Sequence, residues 1–432
     1  MAIVELPGGL EMYYEVHTAA RGTRESSDQP LDEVGLNPTA ATIVVLTPIW
    51  LDCTYLSNMI EDMSPMYNIV AFELRSHGRT FQAQKSPRYD CATAAADIAF
   101  AMEILRVPPS HVCANGFAGF RIALKLCKMF PNQVLSYTQA GVGPLFSPRE
   151  DVKIFKEVID FWFFPQDPSD FFEAMDAMSQ MLLSSDEWDE TPELVALKDR
   201  MLGTMIRRYN PYMLLKAHEV ARVNLRPCRI SPADLADFPH PLLLLHGTSD
   251  LCFPPAVIQR DIVDNLVGAH EITWRLIRGA PHSMLLTHWP QIKEEWMPFL
   301  ERHPKFSSEP VPLDRPYALS VVAKLARNAS DELSASILAR SGNEQTDFSL
   351  CTPEEVRQAA EDLQAFKKYS ESCRMYLPGI DVPESWDQPI DKRSSREWTF
   401  SKRHLFDEPS HSSPVDLIAG GIEVMTVDSS AT

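Results

Sequence analysis

Basic charge and long apolar runs are both scarce in this sequence. Its 432 residues include 40 Lys and Arg against 59 Asp and Glu, a formal net charge of -19. Nucleic acids are bound through clustered basic side chains, so this balance argues against a DNA or RNA partner. No apolar stretch reaches the roughly 18 residues that a membrane-spanning helix needs, so we expect no membrane span. The first residues lack a basic segment followed by an apolar one, which predicts no secretory signal and a cytoplasmic protein.

The residue types that hold metals and cofactors are not spaced for that purpose. No two cysteines have C-x-x-C spacing, and His77, His111, His240 and His246 form neither H-x-x-x-H nor H-E-x-x-H. No glycine pattern of the nucleotide-binding kind occurs, so we expect neither a metal nor a cofactor. Without a secretory signal, the eight cysteines are predicted to be reduced, mostly buried thiols; they are Cys53, Cys91, Cys113, Cys127, Cys228, Cys252, Cys351 and Cys373.

Short apolar runs alternate with segments of helical spacing along the first 304 residues. Strands are predicted at Leu10–Val16 (as an edge strand), Thr42–Leu46, Asn68–Leu74, His111–Ala114, Val134–Thr138, Pro241–Leu245 and Ile272–Ile277. Helices are predicted at Asp90–Leu105, Ala118–Phe130 and Pro254–Val267. Strands that alternate with helices indicate an α/β fold with a doubly wound, mostly parallel sheet. The polar stretch Thr18–Ala41 is expected to be a surface excursion.

Two further regions depart from this pattern. The stretch between Pro144 and Pro239 is helical and rich in phenylalanine, tryptophan and methionine, which fits a self-packed bundle or a cap that lines an apolar pocket. From Lys305 onward the chain is richer in serine, proline and charge, with helices expected at about 316–340 and 353–376. Thr352, Pro353 and Glu355 have the spacing of a capping box with proline at the first helical position. A flexible tail is expected after the second helix.

Five segments, in this order, resemble the α/β-hydrolase superfamily: IVVLTPIW (43–50), FELRSHGRT (72–80), HVCANGFAGFRIAL (111–124), LLLLHGTSDLCFPP (242–255) and IRGAPHSMLLTHWPQI (277–292). The resemblance covers about residues 1–304. It implies a core in two parts, 1–143 and 240–304, with a helical cap at 144–239. The C-terminal extension at 305–432 lies outside the resemblance, and its length favours interaction with a protein partner.

The sequence departs from this superfamily at the nucleophile. Active members carry G-x-S-x-G on a strained turn between strand and helix. The corresponding residues here run from Ala114 to Ala118, and Gly116 stands at the serine position. No other serine has glycine two residues before and two residues after it. The backbone N–H groups of Ile49 and Phe117 would form the oxyanion hole that the resemblance implies.

The other two members of the superfamily's catalytic triad are present. By resemblance, Asp250 corresponds to the acid and His282 to the base. We therefore expect a cofactor-free enzyme in which His282 acts directly as a general base, by water activation, lyase or cyclisation chemistry. The aromatic cap predicts a small hydrophobic substrate, bound in a pocket that includes Trp50, Trp162 and Phe163. By analogy with the superfamily, we expect this substrate to be a carbonyl compound such as a secondary metabolite.

Two alternatives remain open on the sequence. In the first alternative, the protein has lost catalytic activity together with its serine and binds a ligand or a partner protein. An ordinary esterase whose nucleophile lies elsewhere would use Cys53 or Cys113, but neither residue lies at the turn before a helix.

Overall fold

The computed structural model describes residues 2–19, 34–145, 157–183, 191–269, 271–303 and 308–372. Its strands are β1 (Ile3–Leu6), β2 (Leu10–His17), β3 (Thr42–Leu46), β4 (Asn68–Phe72), β5 (Phe81–Gln82), β6 (Ser110–Asn115), β7 (Val134–Ala140), β8 (Leu242–Gly247) and β9 (Ile272–Ile277). These described strands form one nine-stranded sheet in the order β1-β2-β4-β3-β6-β7-β8-β9, with β5 beside β2.

The sheet is parallel from β4 to β9 and antiparallel around β2. The prediction that β2 is an edge strand is wrong, because β1 lies outside it. Gly8 and Gly9 have φ values of 78° and 73°, so they turn the chain tightly enough for β1 to pair with β2. Such positive φ values favour glycine.

Helices cover both faces of the sheet, as the predicted fold class requires. In β3, Val44 and Leu46 belong to one apolar cluster with α2 (Cys91–Ile104) and α3 (Gly116–Met129). The alternate residues Ile43 and Val45 belong to a second cluster with α1 (Ser57–Met63). Successive side chains of a strand point to opposite faces, so a wholly apolar strand has both faces buried.

A layer of helices is inserted between β7 and β8. It contains α4, described over 157–163, followed by α5 (Pro168–Leu183), α6 (Pro192–Arg208), α7 (Leu214–Leu225) and α8 (Pro232–Ala236). Side chains of α4, α5, α6 and α7 form a third apolar cluster together with Trp50 and Tyr55, which follow β3, whereas Leu235 of α8 belongs to the first cluster. The inserted helices therefore pack on one another and also cover the segment that leaves the carboxyl end of β3.

The second part of the core carries α9 (Pro255–Asp261), α10 (Met284–Thr287) and α11 (Trp289–Arg302). The helix predicted at Pro254–Val267 is shorter than expected. It ends at Asp261, and a short 3-10 helix follows at Val263–Asn265. None of the helices in the described ranges is both long and apolar enough to cross a membrane.

The described part of the C-terminal extension, residues 308–372, is helical and packed. The helix predicted at about 316–340 is in fact two, α12 (Arg315–Ala326) and α13 (Asp331–Leu338), because Ser330 is in extended conformation and caps α13 by accepting from the Leu333 N–H. The third helix is α14 (Pro353–Ser372). Its predicted capping box is confirmed: the Thr352 N–H donates to Glu355 at 2.7 Å, and the Glu355 N–H donates to the Thr352 hydroxyl at 3.1 Å.

Some predictions concern residues outside the described ranges. These are most of the expected surface excursion (20–33), the last turn predicted for the final helix (373–376) and the expected flexible tail. Within the described ranges, seven cysteines carry free thiols, and all of these except Cys252 are buried.

Candidate active site

The turn between β6 and α3 brings the backbone to the carboxyl edge of the sheet. The strand ends at Asn115 and the helix starts at the next residue, Gly116, which has a φ of 69°. A left-handed residue between a strand and a helix is the strained turn expected of a nucleophile elbow. A β-carbon added to Gly116 would lie 3.4 Å from Nε2 of His282, which is ordinary van der Waals contact.

Two glycines allow the loop that carries His282 to approach the sheet. A β-carbon on Gly141 would come within 2.1 Å of the His282 carbonyl oxygen, and one on Gly247 within 1.9 Å of the Ala280 carbonyl oxygen. Both atoms belong to the backbone, which cannot move aside as a side chain can. The position of His282 therefore depends on the absence of side chains at the ends of β7 and β8.

His282 and Asp250 form a buried hydrogen-bonded pair. The distance between His282 Nδ1 and Asp250 Oδ2 is 2.8 Å, and the two residues are 2% and 4% exposed. The other carboxylate oxygen of Asp250 accepts from the N–H groups of Cys252 at 2.9 Å and Phe253 at 3.0 Å. Burial raises the pKa of the Asp250 carboxyl, but His282 and the hydrogen bonds outweigh burial and lower the pKa below its ordinary value.

The second ring nitrogen of His282 is also occupied. Nε2 accepts a hydrogen bond from the backbone N–H of Phe117 at 3.0 Å. Since Nε2 accepts, the proton of the neutral ring is on Nδ1 and points to Asp250, which is the tautomer that a general base requires. The predicted oxyanion donor, the Phe117 N–H, is therefore hydrogen-bonded to the predicted base, His282, in this structure.

Aromatic rings surround this contact. The Phe253 ring lies edge-on to the His282 imidazole with 5.2 Å between centroids, and the Phe117 ring lies 5.5 Å from Phe253. The guanidinium of Arg121 stacks 3.9 Å from the centroid of Phe117. His282 thus has an apolar wall on the side of α3.

The inserted helices cover the His282–Asp250 pair (the dyad) on the side away from Phe117. The end of α5 accepts hydrogen bonds from both dyad loops: the Ser283 N–H donates to the Leu182 carbonyl at 2.9 Å, and the Cys252 thiol donates to the Met181 carbonyl at 3.0 Å. These contacts explain why the dyad is buried although it lies at the edge of the sheet.

The predicted pocket residues lie together in the apolar cluster of the inserted helices. The rings of Trp50 and Trp162 are 4.4 Å apart, and those of Trp162 and Phe163 are 5.9 Å apart. All three side chains are at most 2% exposed. Ile49 is half-buried and packs against both this cluster and the main core cluster.

Sequence reasoning missed a second histidine beside the dyad. His246 Nε2 lies 3.6 Å from Asp250 Oδ2 and 2.8 Å from the Phe253 carbonyl oxygen, while its Nδ1 accepts from the Val142 N–H at 3.2 Å. His246 lies four residues before Asp250, at the end of the buried strand β8. This position in the sequence could have indicated that His246 lies beside Asp250. In the described part of the chain, no cluster of His, Cys, Asp and Glu has the arrangement of a metal site.

Solved structures with the same architecture are α/β-hydrolase enzymes. A hydrolase from a Medee basin deep-sea metagenome library, MGS-M2, matches with a TM-score of 0.56 and 14% identity over 69% of this chain and 97% of that one. Est816, an N-acyl homoserine lactone degrading enzyme, matches at 0.52 with 18% identity over 69% and 100%. The enol-lactonase from Burkholderia xenovorans LB400 matches at 0.53 with 14% identity over 69% and 100%.

These similarities define the class of the protein by its fold. The chain has the α/β-hydrolase fold, with a mostly parallel sheet, flanking helices and a helical insertion after β7. No family model matches the chain, and no curated protein matches it by sequence.

Proposed function

We propose that the protein is an enzyme in which His282, oriented by Asp250, acts as a general base without a serine nucleophile. The observation that carries this proposal is the 2.8 Å contact between the two side chains in the tautomer of a base. The turn at Gly116 also keeps the left-handed backbone of an elbow although no nucleophile is present. A histidine base commonly contributes about 100-fold to 10,000-fold in rate.

Two reactions suit a base in this position. In the first, His282 Nε2 takes a proton from water while the water oxygen adds to the carbonyl carbon of the substrate, and the imidazolium then returns the proton to the leaving group. In the second, Nε2 takes a proton from a carbon next to the carbonyl, which begins a lyase or cyclisation reaction. In either reaction the N–H groups of Phe117 and Ile49 would bind the oxyanion, so the Phe117 N–H must first leave His282.

The substrate that fits these surroundings is small, hydrophobic and uncharged, with a carbonyl group. The Phe253 ring lies edge-on to His282, the Phe117 ring lies beside Phe253, and the inserted helices contribute further aromatic side chains. Two of the compared structures are lactone-degrading enzymes. Lactones are compact cyclic esters of this chemical class, so we take them as the first substrates to test.

A non-catalytic role as a binding protein is the second candidate. It is favoured by the hydrogen bond that occupies His282 Nε2 and by the burial of the dyad. In that role the dyad would only stabilise the loops that meet at the carboxyl edge of the sheet. A ligand or a protein partner would then bind without any proton transfer by His282.

Hydrolysis of lactones and p-nitrophenyl esters, compared between wild type and His282→Ala, separates the two roles. A parallel assay follows deuterium exchange at the carbon next to a ketone, which detects proton abstraction without hydrolysis. His17→Ala, at a partly exposed histidine at the end of β2, is the matched control. We expect activity in wild type and in the control, and its loss in His282→Ala. Activity that survives in His282→Ala would contradict the role of His282 as the base, whereas activity absent from all three proteins would favour the binding role.

A further inference from the structure

A buried lysine on α3 has no carboxylate partner among the described residues. Lys125 is 1% exposed, and its Nζ donates to the Cys228 carbonyl oxygen at 2.7 Å and to the Cys228 sulfur at 3.3 Å. Arg75, another buried cation, pairs with Asp97 at 2.6 Å, whereas the buried Arg121 donates to backbone carbonyl oxygens. A buried ammonium without an anion carries a large desolvation cost, so the Cys228 thiol is the group that can supply the missing charge.

The surroundings of Cys228 favour its thiolate. Burial raises the pKa of the Cys228 thiol, but Lys125 and Arg121 outweigh burial and lower the pKa below its ordinary value. Cys113 is equally buried but has no cation beside it, and burial raises its pKa to about 12. The pKa values of the two thiols are therefore shifted in opposite directions because of their neighbours and not because of their exposure.

We propose that oxidation by hydrogen peroxide joins Cys228 and Lys125 through a covalent sulfur–nitrogen bond. The thiolate attacks peroxide, the O–O bond breaks, and the sulfur becomes a sulfenic acid while hydroxide leaves. The hydroxide takes a proton from the Lys125 ammonium, and the amine then attacks the sulfur and displaces water. One thiolate, one ammonium and one peroxide thus give the Cys–S–NH–Lys link and two waters; the sulfur is oxidised and the peroxide is reduced.

The link would join two parts of the molecule that meet at one place. Lys125 lies on the helix that begins at the elbow, whereas Cys228 lies on the segment between α7 and α8, the last two of the inserted helices. The neighbours Arg226 and Arg229 of that segment both bind Glu355 of α14, the latter at 2.8 Å. A covalent bond here would hold the core helix, the end of the insertion and the C-terminal helix together, so movement of the insertion would be restricted.

Mass spectrometry of the full-length protein after peroxide treatment tests the link. We expect a species that has lost two hydrogens, and a cross-linked peptide pair that contains Lys125 and Cys228. The thermal unfolding midpoint should rise on oxidation, because the bond restricts the unfolded chain. Exposed Met66 serves as the internal control for the oxidant, since it should gain oxygen in every sample.

Two variants identify the atoms involved. Lys125→Met keeps the length of the side chain but lacks the amine, so the link should vanish and a dimedone adduct of sulfenic acid should appear at Cys228. Cys91→Ala should leave the link intact. A bridge between Lys125 and Cys228 that retains an oxygen between the sulfur and the nitrogen would contradict the direct sulfur–nitrogen bond. A Cys91–Cys228 disulfide, or an unmodified Cys228 in a sample whose Met66 is oxidised, would overturn the proposal.

Discussion

The backbone N–H of Phe117 donates a hydrogen bond to Nε2 of His282 at 3.0 Å. This contact joins the amide proposed to bind an oxyanion to the nitrogen proposed to take a proton. Neither group is available while the contact is intact, so the structure corresponds to a resting state of the proposed enzyme. Binding of a substrate must exchange this hydrogen bond for one to water or to the substrate itself.

Restoring a hydroxyl at the elbow tests whether the site is still assembled. Gly116→Ser places an oxygen next to His282 Nε2, because the added β-carbon would lie 3.4 Å from that atom. We expect covalent labelling by a fluorophosphonate probe and weak hydrolysis of p-nitrophenyl acetate. The left-handed backbone makes the substitution cost about 1 to 2 kcal/mol of stability.

Gly116→Ala is the matched control for that variant. It carries the same backbone strain and the same β-carbon but no hydroxyl, so it should lose similar stability and remain unlabelled. Equal labelling of the two variants, or none in a folded Gly116→Ser protein, would show that His282 and the oxyanion donors do not act on a nucleophile at this position.

Asp250→Asn should change the tautomer of His282. One carboxylate oxygen of Asp250 accepts from the Cys252 and Phe253 N–H groups, so the asparagine oxygen must remain there and its amide N–H must point to His282 Nδ1. The ring proton then moves to Nε2, where it opposes the Phe117 N–H. Nitrogen chemical shifts of the labelled imidazole should report this exchange.

The same substitution should reduce stability by about 1.5 to 3 kcal/mol, the range for a hydrogen bond to a charged group. Asp62→Asn, at an exposed carboxylate that binds Lys293, is the control and should have a much smaller effect. A wild-type tautomer in Asp250→Asn would contradict the geometry described for the dyad.

Phe366 should anchor the C-terminal helix to the inserted helices. Its side chain is 0% exposed and lies 4.5 Å from the His218 ring and 5.4 Å from the Phe164 ring. Phe366→Ala should lower the free energy of unfolding by about 3 to 5 kcal/mol, the range for a buried phenylalanine. Hydrogen exchange should accelerate in α7 and α14 and stay slow in β8. Phe81→Ala, at a site 48% exposed, is the control and should cost far less.

His111 should contribute to acid unfolding. Burial lowers its pKa from 6.5 to about 4, so between these pH values the unfolded chain binds a proton that the folded chain does not. The unfolding free energy therefore falls as the pH drops through this window, by about 3 kcal/mol for a shift of this size. Urea unfolding of His111→Gln at pH values above and below the window should show a smaller loss than wild type, with His17→Gln unchanged from wild type.

Local patterns indicated most of the core strands and the fold, but not every element. The apolar runs of β3 and β8 indicated strands buried on both faces, and the order of the five resembling segments indicated the α/β-hydrolase fold. The capping box at Thr352 located the start of α14. The periodicity missed the division between α12 and α13, because both sides of Ser330 have helical spacing and only the cap interrupts it.

The sequence alone thus determined the architecture, the identity of the residue at the elbow and the candidacy of His282 and Asp250. Only the tertiary structure decided that the Phe117 N–H binds His282 and that Lys125 contacts Cys228. The reason is physical: periodicity reports which face of an element is apolar, a property set by neighbours along the chain. Contacts between residues about a hundred positions apart depend on how whole elements pack, and no local pattern encodes those distances.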